Sequence, residues 1–182
     1  RLGSEGNADI ALGITTMPYR KETSWDIPGY QDVYVIDVKT GKSRQILRRV
    51  QDRAALSPQS RYIYWWNREE GRWCGRKVGS SAIVELSKGI PFPLYNEDDD
   101  HAFKPGSYGG AGWVKGDKGF LVNDRFDIWL TDPEGKRPPR NITEGTGRAD
   151  SLRLRYVRLD PDERSRDPEA PLLLSAHSFR TK

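Results

Sequence analysis

Three hairpins at a nearly constant spacing constrain this chain more than any other feature. Each begins with a run of β-branched and aromatic residues and continues into a tight turn and a segment that can return as a second strand. The first strands of these hairpins are predicted at residues 32–37, 81–85 and 127–131. The glycines of the following turns lie 48 and then 46 residues apart. These glycines are Gly41, Gly89 and Gly135.

A carboxylate three or four residues before each glycine supports the turn prediction. Its oxygens can accept hydrogen bonds from turn N–H groups, while glycine adopts the positive φ that other residues enter only at a steric cost. The three carboxylates are Asp37, Glu85 and Asp132. In the third hairpin, the returning strand is predicted to run through Ile142.

A period of this length predicts a repeat architecture. Because each unit contains strands, the predicted unit is a β-propeller blade, whose repeats run at roughly 40 to 50 residues. The predicted fold is therefore all-β, a partial β-propeller of antiparallel four-stranded blades that forms a single fragment over residues 1–182. About three blades and the start of a fourth are expected. Their approximate bounds are 10–50, 54–96, 111–144 and 154–182, the last being incomplete.

The most apolar runs are predicted to be the inner, buried strands of these blades. Trp65 and Trp66 must point to opposite faces of a strand, so at least one of them should lie between blades. In contrast, Pro91 and Pro93 cannot donate to a ladder, which places residues 90–95 at an outer sheet edge. The predicted inner strands are residues 62–66, 120–122, 128–130 and 172–174.

The segments that open and connect the units carry turn chemistry. A strand is predicted at residues 10–16 and a surface excursion at 17–30. Ser57-Pro58 fits a turn that opens the second unit, and Asp160-Pro161 corresponds to it in the fourth. The glycine-rich residues 106–112 lack the spacing of a phosphate loop and lead into a strand, so we expect an inter-blade connection of low steric bulk.

The composition excludes several partner classes. The chain has 30 basic and 26 acidic residues, but the charges are interleaved along its length, which argues against a nucleic-acid interface. No run approaches the ~20 apolar residues of a membrane span, and no signal peptide begins the chain, so no membrane partner is predicted. Both ends are predicted to be cut, which makes the chain an excised fragment or a processed product.

Few residues are candidates for chemistry. Cys74 is the only cysteine and has no nearby histidine to activate it, so we expect a structural thiol. The acidic run 97–100 with His101 suggests a metal site. Calcium loops, however, space their ligands at alternate positions, so a solvated loop is favoured. Residues 141–143 match a glycosylation sequon but are more simply sheet-forming residues.

The motifs together have a recognisable order: Ser-Pro or Asp-Pro openers, Asp-Ile-Trp or Asp-Val-Tyr strands, and Asp-x-x-Gly-Lys turns. This order resembles the repeats of periplasmic TolB-type propellers and of the propeller in prolyl oligopeptidase-family serine peptidases. The resemblance spans most of the chain from Ala55 onward. Similarity to bacterial members of the peptidase family is carried by Asp127-Ile-Trp, by Pro138-Pro-Arg-Asn-Ile-Thr143, by Gly147-Arg148, and by Arg153-Leu-Arg-Tyr-Val-Arg-Leu-Asp160.

The resemblance implies a propeller that precedes, and partly covers, an α/β-hydrolase domain with a Ser-Asp-His triad. The nucleophile of that fold needs a Gly-x-Ser-x-Gly elbow, which neither Ser80 nor Ser107 has. His101 and His177 are the only histidines, and both are expected to be surface or strand residues. No catalytic, cofactor-binding or metal-ligating residue is therefore predicted in this chain.

Two functional classes remain open. In the first, the chain is the non-catalytic propeller part of a prolyl oligopeptidase-like peptidase, and its partners are the remaining blades, the hydrolase domain and the peptide substrate of the parent protein. In the second, it is a TolB-like propeller that serves as a protein-interaction platform without a hydrolase. The resemblance favours a periplasmic or secreted location and leaves a cytoplasmic one open. Because the last apolar strand, at 172–176, lacks hairpin partners, we expect the isolated chain to self-associate or to be marginally stable.

Overall fold

The computed structural model describes residues 9–180, which form four antiparallel sheets in succession along the chain. With 38% strand and 8% helix, the predicted all-β class is confirmed. Among these residues, the one α-helix, α1, is a single short turn at Thr146–Asp150. Three short 3-10 helices lie at Met17–Tyr19, Glu22–Ser24 and Lys115–Asp117.

The strands follow chain order within each sheet, so each strand pairs with the next one along the chain. The first sheet consists of β1 Ile10–Thr15, β2 Gln31–Asp37 and β3 Ser43–Val50. The second consists of β4 Ala55–Leu56, β5 Tyr62–Asn67, β6 Arg72–Lys77 and β7 Val84–Glu85. The third consists of β8 Gly110–Trp113, β9 Phe120–Asn123, β10 Ile128–Thr131 and β11 Arg140–Asn141. The fourth consists of β12 Leu152–Tyr156 and β13 Leu174–Ser178.

The second sheet is packed on both faces, which accounts for its nearly continuous apolar central strand. Trp65 lies in a cluster with side chains of the first sheet, whereas Trp66 lies in a cluster with side chains of the third. Both indoles are buried, and the prediction that they separate to opposite faces is confirmed. The cluster toward the first sheet contains Leu12, Val33, Leu47, Ala54, Leu56, Ile63, Trp65 and Cys74. The cluster toward the third sheet, the aromatic seam, contains Tyr62, Trp66, Trp73, Leu86, Leu94, Trp113, Phe120, Val122 and Trp129.

Ring contacts hold the aromatic seam together. The Tyr62 and Trp113 rings stack at a centroid distance of 5.8 Å, and the Trp73 and Phe120 rings meet edge to face at 5.2 Å. Such geometries add roughly 0.5–1.5 kcal/mol per pair beyond the area they bury. The seam therefore fixes the second and third sheets face to face.

A buried hydrogen-bond junction joins the same two sheets at the turns between their first and second strands. The Ser57 hydroxyl donates to Asp117 Oδ2 at 2.6 Å and accepts from the Tyr62 N–H at 2.9 Å. Asp117 Oδ1 also accepts from the Gln59 N–H at 3.2 Å. Ser60 and Asp117, at matching positions of the two turns, both have positive φ, 57° and 53°. The predicted opener turn at Ser57 is confirmed, and its partner in the third sheet is an aspartate.

Two of the three predicted hairpins have the expected form, and one does not. Asp37 Oδ1 accepts from the Thr40 N–H at 2.8 Å, and Asp132 Oδ2 accepts from the Lys136 N–H at 3.1 Å, so both carboxylates act as predicted. The Glu85 carboxylate instead pairs with Arg72, at 2.5 Å.

The predicted hairpin around Gly89, with residues 90–95 returning as a strand at an outer sheet edge, is wrong. Residues 84–85 form the last strand of the second sheet rather than the first strand of a hairpin, and residues 90–95 form no strand apart from an isolated bridge at Tyr95. Pro91 and Pro93 remove the N–H groups that a ladder would need. The glycine that matches Gly41 and Gly135 is Gly79, between β6 and β7, with φ of 87°.

Two further strand predictions need correction. The run 172–174 is not a buried inner strand, because β13 begins at Leu174 and the Leu173 side chain is 48% exposed. The glycine-rich segment contributes the first strand of the third sheet from Gly110 onward, rather than only a connection. Its low bulk is nevertheless required, because a Cβ atom at Gly110 would lie 2.6 Å from the Phe120 ring. The other three predicted runs, 62–66, 120–122 and 128–130, are confirmed as strands whose residues are mostly buried.

The sheets also depart from four strands at the two ends of the described range. Within residues 9–180 the first sheet has three strands and the fourth has two. The long connection between β12 and β13 lies against the third sheet, where the Arg166 N–H donates to the Trp113 carbonyl at 2.7 Å. Asp160 begins a turn in this connection, as predicted, since its side chain accepts from the Asp162 N–H at 2.8 Å.

Candidate functional site

The loops at one end of the sheets form the candidate site. In an antiparallel sheet whose strands follow chain order, alternate connections lie at the same end. The connections within the sheets at this end therefore lie beside the connections from one sheet to the next. We call this surface the loop rim, and it comprises residues 16–30, 51–54, 68–71, 86–109, 124–127 and 142–151.

Two fully buried carboxylates underlie the rim at the third sheet. Asp124 Oδ1 accepts from the Phe126 and Asp127 N–H groups at 2.6 and 2.7 Å, and its Oδ2 accepts from Trp129 Nε1 at 2.9 Å. Asp127 accepts from the Thr143 hydroxyl at 2.7 Å, and from the N–H groups of the next connection at 3.1 and 3.2 Å. Both carboxylates are satisfied by N–H and O–H donors, as buried charges must be. They act as structural acceptors that fix the loops above them.

Gly147 and Arg148 connect these buried carboxylates to the surface loops. A Cβ atom at Gly147 would lie 2.7 Å from the Phe126 carbonyl oxygen, so only glycine fits there. The Arg148 guanidinium lies 3.5 Å from the centroid of the Phe92 ring and donates to Asp124 Oδ2 at 3.4 Å. A cation over an aromatic face is worth roughly 0.5–2 kcal/mol. This contact fastens the connection 86–109 to the third sheet.

Ion pairs continue the rim toward the first sheet. Arg68 makes a bidentate pair with Asp52, with two N–O distances of 2.8 Å, and donates to the Lys104 carbonyl at 2.6 Å. The Lys104 ammonium in turn pairs with Glu69 at 2.6 Å. Planar two-point pairing of this kind fixes geometry as well as adding energy. These contacts therefore hold together three loops of the rim, at residues 51–54, 68–71 and 86–109.

A cavity of about 390 Å³ opens on this surface between the first and second sheets. The Arg49 guanidinium lies 3.9 Å from the centroid of the Tyr30 ring at its wall. Both tryptophans at the end of β5 contribute to its floor, together with Arg48 and Asn67. The cavity combines cationic, amide and aromatic groups with the Glu69 carboxylate, a combination that can bind polar segments of a polypeptide.

The cysteine and the two serines that the sequence offered as candidates for chemistry lie in environments that suit a structural role. Cys74 is buried between the first two sheets, and burial raises the pKa of its thiol to about 11, which keeps it protonated and unreactive. The Ser80 and Ser107 hydroxyls accept from backbone N–H groups two residues further on.

The acidic run lies in an exposed loop of the rim, as predicted. His101 Nδ1 lies 2.5 Å from Asp99 Oδ1, and this hydrogen bond raises the pKa of the imidazole. The side-chain atoms of Asp99, Asp100 and His101 that could bind a metal ion lie within 4.8 Å of one another. The neighbouring Asp98 is paired with Arg125 at 2.9 Å. The loop is therefore tied to the third sheet by an ion pair.

Sequence reasoning did not find the buried acceptors Asp124 and Asp127 or the arginines they position. The signal was present in part, because the segments that carry the family resemblance include Asp127, Thr143 and Gly147-Arg148, and the structure brings these residues into contact. No protein-family model and no curated protein sequence matches the chain. Within residues 9–180, no helix is both long and apolar enough to span a membrane.

Proposed function

We propose that this chain is the non-catalytic β-propeller portion of a prolyl oligopeptidase-like serine peptidase. In this proposal the sheets are successive blades, and the chain gates substrate access and docks an α/β-hydrolase domain of the parent protein. Its partners are the remaining blades, that hydrolase domain and the peptide substrate. We expect neither a nucleic-acid nor a membrane partner, and a periplasmic or secreted location.

The observation that carries the proposal is the packing of the second and third sheets. Each has four antiparallel strands in chain order, and the last strand of one leads to the first strand of the next. Their faces pack through the aromatic seam, and their opener turns join through Ser57 and Asp117. Consecutive four-stranded sheets packed in this way are typical of propeller blades.

A second observation concerns the segments that carry the resemblance to bacterial peptidases. Three of these four segments meet in one buried network around Asp127. The network links residues of three separated segments, so these short motifs form one structural unit rather than isolated features. The alternative remains a TolB-like interaction platform in which no hydrolase is present.

The protein encoded by the complete reading frame tests this proposal. It should contain Gly-x-Ser-x-Gly between a strand and a helix, hydrolyse a proline-containing chromogenic peptide, and be labelled at that serine by a fluorophosphonate. The 182-residue chain alone should show neither hydrolysis nor labelling. Gating predicts that the full protein cleaves a short peptide but spares the same sequence inside a folded protein. A reading frame without the serine elbow, whose product binds a protein partner, would favour the alternative.

A further inference from the structure

The fourth sheet presents a polar, cationic face beside the loop rim. In the β12–β13 register, Arg153 is opposite His177 and Arg155 is opposite Ser175. Residues two apart on a strand share a face, so these four side chains lie on the same side of the sheet. Leu154 points to the other side and is buried. The sheet is therefore amphipathic, with both arginines of β12 on its polar face.

A cavity of about 400 Å³ lies against this face. Asn96, Ser107 and Tyr108 form its opposite wall, and they come from the connection between the second and third sheets. Of the residues described as lining this cavity, none carries a carboxylate. Two acids of the connection that forms this wall have partners of their own, since Glu97 accepts from the Tyr108 hydroxyl at 3.3 Å and Asp98 pairs with Arg125 at 2.9 Å. The cavity thus holds two guanidinium groups without a lining counter-ion.

Arg155 is held in place by neutral groups. Its Nη1 donates to the Leu154 carbonyl at 2.7 Å and its Nη2 to the Asp124 carbonyl at 2.9 Å. The Tyr108 ring centroid lies 5.7 Å from its guanidinium carbon. These uncharged partners orient the guanidinium. The buried Asp124 carboxylate also attracts it, but this carboxylate does not line the cavity and already accepts hydrogen bonds from Trp129 and Arg148. Burial lowers the pKa of Arg155, and the neighbouring Arg153 lowers it further.

Arg153 supplies a second, more accessible cation. Its guanidinium carbon lies 5.6 Å from the centroid of the Phe179 ring, and no ion pair involves it within residues 9–180. Two like charges held on one face repel each other, and an anion between them relieves that repulsion. The positive charges of Arg153 and Arg155 therefore favour the binding of an anionic group in this cavity.

We propose that this cavity binds a carboxylate group of a peptide ligand. Arginine presents a fork of donors that matches a carboxylate in two-point geometry. The neutral groups of Asn96, Ser107 and Ser175 provide donors and acceptors for the amides next to that carboxylate, which a small inorganic anion would leave unused. The site goes beyond the proposed function, because it relies on local side chains and not on the assignment of the sheets as blades.

Titration of the 182-residue chain with three peptides, followed by NMR, tests this site. The probes are acetyl-Ala-Ala-Glu-amide, its glutamine counterpart, and acetyl-Ala-Ala-Ala with a free carboxylate. We expect the glutamate peptide, the free-acid peptide, or both to bind at least about tenfold more tightly than the glutamine peptide, a difference of ~1.4 kcal/mol. The stronger of the two acidic probes identifies the carboxylate as a side chain or a chain terminus.

Variants then locate the binding. R153Q should weaken the acidic probe about tenfold, the loss of one charge-assisted contact, whereas R153K should retain part of the affinity. R158Q removes the same charge beyond the end of the same strand, outside this cavity, and should leave binding unchanged. Arg153 is exposed, so its replacement should not disturb folding, which circular dichroism will check. Equal binding of the glutamine peptide, equal losses in R153Q and R158Q, or complete displacement by equimolar inorganic phosphate would overturn the proposal.

Discussion

The junction between Ser57 and Asp117 provides a test of how the second and third sheets are coupled. Asp117 is 3% exposed, and its two oxygens accept from the Ser57 hydroxyl and from two N–H groups of the neighbouring opener turn. In D117N, one oxygen becomes an NH₂ group that faces donors instead of accepting from them. Asparagine tolerates the left-handed φ of 53° at this position, so the change adds little backbone strain.

The magnitude follows from the contacts that are lost. Hydrogen bonds to a charged group contribute about 1.5–3 kcal/mol each, and the shortest of the three, at 2.6 Å, is the one from Ser57. D117N keeps one acceptor oxygen, so we expect a loss of about 2 kcal/mol in the free energy of unfolding. S57A should cost a similar amount, because it also removes the acceptor for the Tyr62 N–H. The double variant should lose about 1–2 kcal/mol less than the sum of the two single losses.

Urea unfolding monitored by tryptophan fluorescence measures these changes, since Trp66, Trp73 and Trp113 all lie in the seam. With an m-value of about 2 kcal/mol/M, D117N should lower the midpoint by about 1 M. D162N is the matched control, because the Asp162 side chain is 89% exposed, and it should shift the midpoint little. Additive losses in S57A and D117N, or an unchanged midpoint in D117N, would refute the coupling between sheets.

Three other predictions concern separate parts of the chain. Burial raises the pKa of Cys74 to about 11, so at neutral pH the folded chain should react with a thiol reagent more than about a hundredfold more slowly than the chain unfolded in urea. Equal rates in both states would contradict the burial of this thiol. Hydrogen bonds from the Thr40 backbone and hydroxyl lower the pKa of Asp37, so this carboxylate stabilises the fold above its unfolded pKa and loses that contribution as the pH falls through the folded pKa. D37N should therefore lose less stability than the wild type on acidification, and identical acid-unfolding profiles would count against this reasoning. Tyr34 and Ile36 point away from the cluster that holds Val33, so the isolated chain should self-associate through this face. I36K should reduce that association in sedimentation velocity while V38K, at an exposed turn, should not, and a monodisperse wild-type monomer would contradict the prediction.

Sequence periodicity predicts which face of the second sheet each side chain of its central strand joins, although that strand is buried on both faces. The separation of Trp65 and Trp66 follows from the period of two alone. In contrast, a turn glycine does not reveal which pair of strands it connects. Gly79 and Gly89 both have positive φ, and only the long-range pairing of Cys74 with Glu85 shows that the strand lies between them. The nearly constant spacing of the three chosen glycines therefore did not mark equivalent positions.

The candidate site was harder to predict because its residues meet only after the sheets pack. Asp127 is near Gly147 because the chain leaves the third sheet and returns beneath it. The cationic cavity depends on the register that places Arg153 opposite His177, which cannot be derived from the local sequence. In the sequence, basic and acidic residues are interleaved along the chain. This pattern does not reveal that Arg153 and Arg155 lie together on one face of the fourth sheet.

The structure of the protein encoded by the complete reading frame tests the central proposal most directly. We predict that a further four-stranded sheet covers the face of the first sheet that bears Tyr34 and Ile36, and that an α/β domain with a serine elbow docks on the sheets. A structure in which that face is open to solvent, or is covered by helices, would contradict the assignment of these sheets as propeller blades.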